Sequence, residues 1–440
     1  MSAPPFPFTL RVEAQGPPLL YDRAAHAYTR RTAAEAFLLT AAQDIGADSA
    51  VALLADRTDG DTATDTARTL RELGALDDDG VFAGRVVEPP EVPGAFGAPL
   101  VAHLGVTLAC NYSCAHCYSS SGRRAPGELT LDEIRALTGQ LAAAGCMKLV
   151  LGGGEPFLRR DLAAMVRHAH GLGVDAYVHT NASLLRDEAL SELARCPPAG
   201  LAVSLDGPDP ATNDAIRGEG TFASTLRGME RLRTAYPPGF NLNVTITPHN
   251  AATTPGLVEL AHRVGARVLL LRPAYPAGEA RHDDSLTCDR DTFARAVDAA
   301  RPRAEALGLA LDAPHPHEQG IPGFDGFGCV ASRVVLGIAP TGDVTPCLNL
   351  PGSFIAGNVR TSSLAQLWAG GSTFLDLRAA APGPYCATCL HYETCRGGCR
   401  VRALHVGGGL SDPDGWCHYS PRPGMTPPAP STRPHLRVVT

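Results

Sequence analysis

The stretch MKLVLGGGEPFLRRDLAAMVRHAHGLGVDAYVHTN, residues 147–181, decides the fold class. It contains a nearly continuous apolar strand, a helix with an apolar stripe, and a second apolar strand that ends in His-Thr-Asn. Strands without polar alternation are buried on both faces, which is typical of a parallel sheet covered by helices. The same alternation recurs along residues 101–308 as six strand–helix units. The chain is therefore predicted to be α/β, with a partial (β/α)6 TIM barrel.

The turns of this predicted barrel carry the motifs that suggest chemistry. Thr130 and Glu133 form a capping box at the start of one helix, and Gly145 follows its end. In a parallel barrel, functional residues collect at the carboxyl ends of the strands. The first four predicted strands lead directly into CNYSCAHCY (110–118), GGGEP (152–156), HTN (179–181) and SLDG (204–207).

The barrel is assigned to residues 98–312, with different sequence on each side. Residues 1–93 contain short strands and three helices, which favours a winged-helix-like module, and a Pro/Gly-rich linker follows. In residues 313–425 the periodicity weakens while Cys, Gly and Pro increase, which predicts a loop-rich domain stabilised by metal ligation. Residues 426–440 are predicted to be a disordered tail.

Composition and charge narrow the class of protein. A chain of 440 residues with 44% apolar and 19% charged residues is typical of a multidomain globular protein. It has no apolar run of membrane-spanning length and no signal-peptide pattern, so we predict a cytoplasmic protein without a membrane partner. Residues 1–93 hold eight Arg against fifteen Asp and Glu, a net of −7, which argues against nucleic acid as a partner.

Thirteen cysteines in a cytosolic chain indicate metal or redox chemistry rather than disulfides. Three of them, Cys110, Cys114 and Cys117, fall within eight positions. Each iron of a cubane iron–sulfur cluster takes one thiolate, so three thiolates leave one iron open to a small molecule. A structural zinc site that includes His116, or a cluster with a distant fourth cysteine, is the alternative.

The segment CNYSCAHCY resembles the CxxxCxxC signature of the radical S-adenosylmethionine (radical SAM) superfamily. The resemblance implies that Cys110, Cys114 and Cys117 hold a catalytic [4Fe-4S] cluster whose open iron binds SAM. The reduced cluster would then cleave SAM to a 5′-deoxyadenosyl radical, which abstracts a substrate hydrogen. By the same resemblance, the cofactor-binding residues are His116, Tyr118, Gly153, Gly154, Glu155, Thr180, Asn181, Ser204, Asp206 and Arg217.

Within that set, the roles also come from the resemblance. Gly153, Gly154 and Glu155 correspond to the motif that receives the SAM amino group. Residues at the ends of the third and fourth strands would face the ribose or the methionine moiety. Arg217 would pair with the SAM carboxylate, because a guanidinium binds a carboxylate in bidentate fashion; a surface or helix-capping role is the alternative.

The C-terminal cysteines resemble the SPASM extension of that superfamily. The spacing Cys329-x12-Gly342-x4-Cys347 is followed by four clustered cysteines and a last one. The resemblance implies two auxiliary [4Fe-4S] clusters, one from Cys329, Cys347 and Cys399 and one from Cys386, Cys389, Cys395 and Cys417. The first set lacks a fourth ligand, so His317, Asp325 or Cys288 completes it, or its iron is open. A zinc ribbon is the alternative for the CxxC part.

Residues 1–93 loosely resemble the recognition element of enzymes that mature ribosomally made peptides, in which a leader peptide adds a strand to a small sheet. The predicted function is a radical SAM maturase that oxidises a precursor peptide, or crosslinks it through a thioether or C–C bond. Its partners are that peptide, bound through its leader by residues 1–93, and an external reductant of the flavodoxin or ferredoxin type.

Three alternatives remain open at this point. A sulfatase-maturase-like activity is disfavoured because Leu348, not the Asp common in those enzymes, follows Cys347. A radical SAM oxidoreductase acting on a small molecule such as a tetrapyrrole is the second. A non-catalytic iron–sulfur or zinc protein is the third.

Overall fold

The computed structural model describes residues 6–313, 328–381 and 383–417, and confirms the α/β class. The N-terminal module has a four-stranded sheet in the order β3-β2-β1-β4. Strand β4 pairs parallel to β1, whereas β2 and β3 form a hairpin. Its elements are β1 (Phe8–Arg11), β2 (Leu19–Asp22), β3 (Ala27–Arg30), α1 (Ala33–Ile45), α2 (Ala47–Ala55), α3 (Gly60–Glu72) and β4 (Gly84–Val87).

Six parallel strands, β5 to β10, form the predicted open barrel, and β11 extends it at one edge. The strands are β5 (Val101–Thr107), β6 (Lys148–Gly153), β7 (Asp175–Thr180), β8 (Gly200–Ser204), β9 (Asn241–Ile246), β10 (Val268–Pro273) and β11 (Ala310–Asp312). The helices are α4 (Leu131–Ala143), α5 (Leu162–Gly171), α6 (Asp187–Arg195), α7 (Pro210–Arg217), α8 (Thr221–Ala235), α9 (Thr254–Arg263) and α10 (Arg290–Leu307).

The C-terminal region continues the same sheet, which the sequence did not predict. Strand β12 pairs parallel to β5, and β13 and β14 follow as antiparallel neighbours. A strand at the edge of an open barrel needs a partner for its backbone groups, and β12 provides one for β5. The elements are β12 (Val335–Ile338), β13 (Asp343–Thr345), β14 (Gly357–Asn358), α11 (Leu364–Gly370), α12 (Ser372–Ala379), α13 (Pro384–Ala387), α14 (Tyr392–Cys395) and α15 (Arg400–Gly407).

Local sequence explains one predicted helix and one that was missed. The capping box of α4 is confirmed, since Thr130 N donates to Glu133 Oε2 at 2.8 Å and Glu133 N donates to Thr130 Oγ1 at 3.3 Å. Helix α7 was not predicted, because Pro-Asp-Pro at 208–210 reads as a turn. There Asp209 caps the helix and Pro210 occupies its first turn, where a missing N–H costs nothing.

The N-terminal module packs against the end of the barrel at which the strands begin. Asp175, the first residue of β7, is buried and accepts hydrogen bonds from Tyr21 Oη at 2.6 Å and Arg23 Nη1 at 3.1 Å. The chain's single lysine, Lys148, begins β6 and donates to His26 O at 2.9 Å. The motifs predicted to be functional lie at the opposite end, so this module packs against the bottom of the barrel.

Several predicted features lie outside the described residues. His317 and Asp325 fall in residues 314–327, and the predicted tail falls in residues 418–440. The proposed boundary between barrel and C-terminal domain, at 312–313, borders the first of these segments. In the part of the chain that the structure describes, no helix is long and apolar enough to cross a membrane.

Candidate active site

The loop after β5 brings Cys110, Cys114 and Cys117 together at the top of the barrel. Burial raises the pKa of Cys114 to about 11. Cys110 and Cys117 both contribute to this shift, so the three thiols interact electrostatically. The backbone sets this arrangement, because Cys117 N donates to Cys114 O at 3.1 Å and Cys110 N donates to Gly122 O at 2.9 Å. We call these three the loop thiols.

Two glycines allow this loop to pack against the end of β6. Gly153 has a φ of +101°, which L side chains rarely adopt. A Cβ atom on Gly154 would lie 2.1 Å from Ala109 O, inside van der Waals contact. The backbone N–H groups of Gly154 and Glu155 donate to Thr107 O at 2.8 Å and Ala109 O at 2.9 Å. The glycines predicted at this motif therefore let two loops share backbone hydrogen bonds.

Glu155 is buried beside these glycines and orients the end of β7. Its Oε1 accepts from Thr180 Oγ1 at 2.7 Å and from Phe157 N at 3.0 Å, and its Oε2 accepts from Asn181 N at 2.7 Å. Burial raises the pKa of Glu155 against the effect of these bonds. A carboxylate has about four acceptor positions, so one remains for a donor in the cavity.

A buried charge cluster supports the loop from below. Asp206 Oδ2 lies 2.6 Å from Arg217 Nε and 3.0 Å from His116 Nε2, and its Oδ1 accepts from Thr245 N at 2.8 Å. Burial disfavours the charged carboxylate, but Arg217 and His116 outweigh it and lower the pKa of Asp206 to about 2. Arg217 Nη1 also lies 4.0 Å from Cys114 Sγ. This cluster places a positive charge beside a loop thiol.

A cavity of about 310 Å³ opens above the loop thiols. All but one of the residues predicted from sequence to bind the cluster or SAM line it: Cys110, Cys114, Cys117, His116, Tyr118, Gly153, Gly154, Glu155, Thr180, Asn181, Ser204 and Arg217. Asp206 does not, because its side chain is fully buried beneath Arg217. The structure thus places Asp206 behind the wall of the cavity, where it orients His116 and Arg217.

Sequence reasoning missed part of this wall. The missed residues come from the loop after β5, from β6, β7, β9 and β10, from the segment after β10 and from the C-terminal region: Tyr112, Ser121, Gly152, His179, Asn243, Thr245, Arg272, Pro273, Ala274, Tyr275 and Asn349. The polar residues of β9, in NLNVTIT, lie at a strand end and could have been identified from the barrel prediction. Asn349 could not, because only the fold brings it to this end of the barrel.

A second cavity of about 560 Å³ occupies the inside of the barrel. It shares Tyr118, Gly152, His179, Asn243, Arg272 and Asn349 with the first cavity. Its far wall includes Cys347 and Leu348 from the loop after β13. The cavity lined by the loop thiols therefore adjoins a cavity lined by a cysteine of the C-terminal region.

Among the C-terminal cysteines, the pKa shifts include contributions from other members of the same predicted group. Cys329 and Cys399 both affect the pKa of Cys347, which burial raises to about 12. In the other group, Cys417 and Cys386 both affect the pKa of Cys395, which burial raises to about 11. Metal binding displaces such protons, because the thiolate is the ligand.

Contacts around Cys399 and Cys288 bear on the incomplete group. Cys399 N donates to Asp414 Oδ2 at 2.7 Å, and Asp414 forms a buried ion pair with Arg402. Cys288 is buried, Trp416 Nε1 donates to its carbonyl oxygen at 2.9 Å, and its thiol contacts Asp289 O at 3.4 Å. Within the described ranges, Cys399, Cys347 and Cys329 do not contribute to the shifted pKa of Cys288.

The family comparisons agree with this geometry. Residues 104–261 match the model of the radical SAM superfamily, and residues 329–390 match that of SPASM, an iron–sulfur cluster-binding domain. The mycofactocin maturase MftC of Mycobacterium tuberculosis is 33% identical over 348 residues, which cover 77% of this chain and 87% of that protein. The chain belongs to the radical SAM superfamily.

Other relatives of this radical SAM enzyme have different named activities. The AdoMet-dependent heme synthase of Methanosarcina barkeri is 29% identical and covers 74% of this chain and 97% of its own. The PqqA peptide cyclase of Xanthomonas campestris is 31% identical and covers 73% and 88%. Streptococcus suis SuiB bound to the precursor peptide SuiA shares the fold, with a TM-score of 0.73, 14% identity, and coverage of 94% of this chain and 99% of SuiB.

The residues present fit the cofactors of this superfamily. The radical SAM domain binds a [4Fe-4S] cluster and SAM, and the SPASM domain binds further iron–sulfur clusters. Among the described residues, no three His, Cys, Asp or Glu side chains converge closely enough to hold one metal ion. A cubane needs wider spacing, because its thiolates bind separate irons. The glycines beside Glu155 let the loop that carries Cys110 pack against the end of β6, because a Cβ atom on Gly154 would collide with Ala109 O.

Proposed function

We propose that this enzyme matures a ribosomally made precursor peptide by oxidising one residue or crosslinking it through a thioether or C–C bond. The observation that carries the proposal is the pair of adjoining cavities, one lined by the loop thiols and the other by Cys347, that share six wall residues. These adjoining cavities would hold a substrate residue between two iron–sulfur sites. The names of MftC and the PqqA peptide cyclase, and the peptide-bound structure of SuiB, support a peptide substrate.

In this proposal the wall of the first cavity holds the cofactor. The loop thiols would bind the cluster, and the free acceptor position of Glu155 would receive the SAM amino group. When bound, the cluster and SAM supply a 5′-deoxyadenosyl radical that removes a hydrogen atom from the substrate. Arg217 is already paired with Asp206, so its remaining N–H groups would face the SAM carboxylate while its charge stabilises the adjacent thiolate.

We assign two auxiliary clusters to the C-terminal cysteines, as the pattern predicts. Cys386, Cys389, Cys395 and Cys417 would form a closed site with four thiolates. Cys329, Cys347 and Cys399 would form a site with three. This incomplete site borders the barrel cavity through Cys347.

The leader of the peptide would pair with the N-terminal module. Strand β3 is an edge strand of its sheet, and Ala27, Thr29 and Arg30 on it are exposed. An exposed edge offers unpaired backbone groups to an added strand. A flavodoxin or ferredoxin would supply electrons one at a time, and a reducing cytoplasm would keep the thiols available.

A small-molecule substrate is the second candidate, because a heme synthase is among the relatives. The exposed edge of β3 favours the peptide. The test uses anaerobically reconstituted enzyme with SAM, reductant and the short peptide encoded by a neighbouring gene. We expect 5′-deoxyadenosine together with a peptide that has lost two hydrogen atoms. Conversion of a porphyrin precursor with no change in the peptide would overturn the proposal.

The leader assignment has a separate readout. Fluorescently labelled leader peptide should bind the full-length enzyme, and the unlabelled leader should compete with it while the unlabelled core segment competes poorly. If the core competes as well as the leader does, the module is not the main recognition site.

A further inference from the structure

Two histidines face the barrel cavity, and neither is explained by the binding of cluster or SAM. His179 lies near the end of β7 and lines both cavities, so it lies at the junction between them. His103 lies on β5 and lines the barrel cavity. They are close enough for His179 to affect the pKa of His103. Both imidazoles therefore border the space proposed for the substrate residue.

Neither imidazole is engaged by the protein. In the part of the chain that the structure describes, neither His103 nor His179 takes part in a side-chain hydrogen bond or an ion pair. In the wall of the first cavity, His116 differs in that its Nε2 lies 3.0 Å from Asp206 Oδ2, although its Nδ1 has no hydrogen-bond partner among the described residues. Both residues are half-buried and line the barrel cavity, so a substrate group that enters the cavity can pair with them.

The other titratable groups in the two cavities are already committed. Glu155 accepts three hydrogen bonds from the protein, and Arg272 is paired with Asp312 at 2.9 Å. Burial raises the pKa of Tyr118, Tyr177 and Tyr275 to about 12, so these phenols are protonated at neutral pH. The cysteines are assigned to clusters. Among the described residues that line the barrel cavity, His103 and His179 are thus the titratable proton acceptors without a hydrogen-bond partner in the protein.

Their environment keeps them uncharged. Burial lowers the pKa of His103 to about 4, with a further contribution from His179. Burial also lowers the pKa of His179 to about 4, with a contribution from Arg272. At neutral pH each ring therefore carries a nitrogen lone pair, as a proton acceptor requires.

We propose that His179, backed by His103, accepts the proton released when the substrate residue is oxidised. This inference rests on the proposed function and names a residue for one of its steps. When a C–H and an X–H group are joined as C–X, the substrate gives one hydrogen atom to the SAM-derived radical, one electron to an auxiliary iron–sulfur cluster and one proton to His179. The C–H and X–H bonds break, the C–X bond forms, and atoms and charge balance.

The test compares His179→Gln and His103→Gln with the control His168→Gln. His168 lies on α5 and lines neither cavity, and its Nε2 lies 3.1 Å from Arg135 O. Each variant is supplied with SAM, reductant and the full-length peptide encoded by a neighbouring gene. We expect His179→Gln to form 5′-deoxyadenosine but to lower the ratio of modified peptide to 5′-deoxyadenosine about a hundredfold. His103→Gln should lower it less, and the control should not change it.

A chemical probe gives a readout that does not depend on turnover. Diethyl pyrocarbonate modifies neutral imidazoles, and mass spectrometry locates the modified residues. We expect His103 and His179 to be modified in the wild-type holoenzyme and protected by the peptide. The inference would be overturned if the peptide protected neither residue. It would also be overturned if His179→Gln had normal iron content and an unchanged product ratio. If the wild type itself leaves the peptide unmodified, the proposed function fails instead.

Discussion

The two groups of three thiols are built in different ways. The loop thiols lie within eight residues and are positioned by short-range backbone bonds such as Cys117 N to Cys114 O. Cys329, Cys347 and Cys399 come from three separate parts of the C-terminal region, and a buried Arg402–Asp414 pair supports the last of them. A local group depends on one turn, whereas a dispersed group depends on the packing of a whole domain. This difference makes the two groups separable by mutation.

The largest expected effect distinguishes the two groups directly. Cys114→Ala should abolish cleavage of SAM, because the loop would lose a ligand of the cluster that cleaves it. Cys399→Ala should still form 5′-deoxyadenosine while the peptide remains unmodified. Chromatography of 5′-deoxyadenosine and mass spectrometry of the peptide measure both. If Cys399→Ala also stops SAM cleavage while the barrel remains folded, the two groups are not separable.

The buried pair beside Cys399 is expected to be the next most sensitive point. Asp414→Asn leaves Arg402 charged and buried without its partner, which costs about 3–5 kcal/mol in such cases. Thermal unfolding and iron content measure the loss. Asp187→Asn, which removes the exposed pair with Arg231, is the matched control and should cost at most about 1 kcal/mol. If Asp414→Asn and Asp187→Asn lowered the unfolding temperature and the iron content equally, the Arg402–Asp414 pair would not support the group Cys329, Cys347 and Cys399.

The close packing of the loop that carries the thiols can be tested by a substitution that adds one methyl group. Gly154→Ala places a Cβ atom against Ala109 O, so the loop must move, and a shift of about 1 Å can cost about 10²-fold in rate. Gly352→Ala in the C-terminal region is the control, because its added Cβ meets no atom within 4 Å. Rates of 5′-deoxyadenosine formation measure both. Normal SAM cleavage by Gly154→Ala would contradict the close packing described for this loop.

The smallest expected effect concerns the cavity between the two groups. His103 and His179 have a pKa of about 4 in the folded protein, below the ordinary histidine value of about 6.5. The unfolded chain binds more protons between those values, so stability should fall as the pH falls from about 6.5 to about 4. The double variant His103→Gln/His179→Gln should show a flatter dependence in thermal unfolding over this range. An unchanged slope would mean that these rings do not remain neutral.

The fold was largely predictable, and the reasons can be seen in particular elements. Apolar strands and capped helices such as α4 carry their signals locally, so the barrel followed from periodicity. Helix α7 was missed because Pro208-Asp209-Pro210 has the signature of a turn as well as of a helix start. The strands β12 to β14 were missed because they are short and gain stability mainly from pairing with β5 and with each other.

The candidate site divides in the same way. The loop thiols, the glycines and Glu155 were found because each motif follows a strand. Asp206 was expected at the cofactor, yet it lies beneath Arg217, because a motif gives the position of a residue along the chain and not the direction of its side chain. The sequence alone does not distinguish His179 from the adjacent Thr180 and Asn181. The structure does, because His179 lines both cavities.

The amino-acid sequence by itself determined the class of fold, the six strand–helix units and the cysteines that suit iron–sulfur clusters, because these depend on spacing along the chain. Only the tertiary structure decided that β12 joins the barrel sheet, that Asp206 supports Arg217, and that the cavity at the loop thiols adjoins the cavity at Cys347. Those features arise from contacts between residues far apart in sequence. Such contacts depend on packing and burial, which no local pattern specifies.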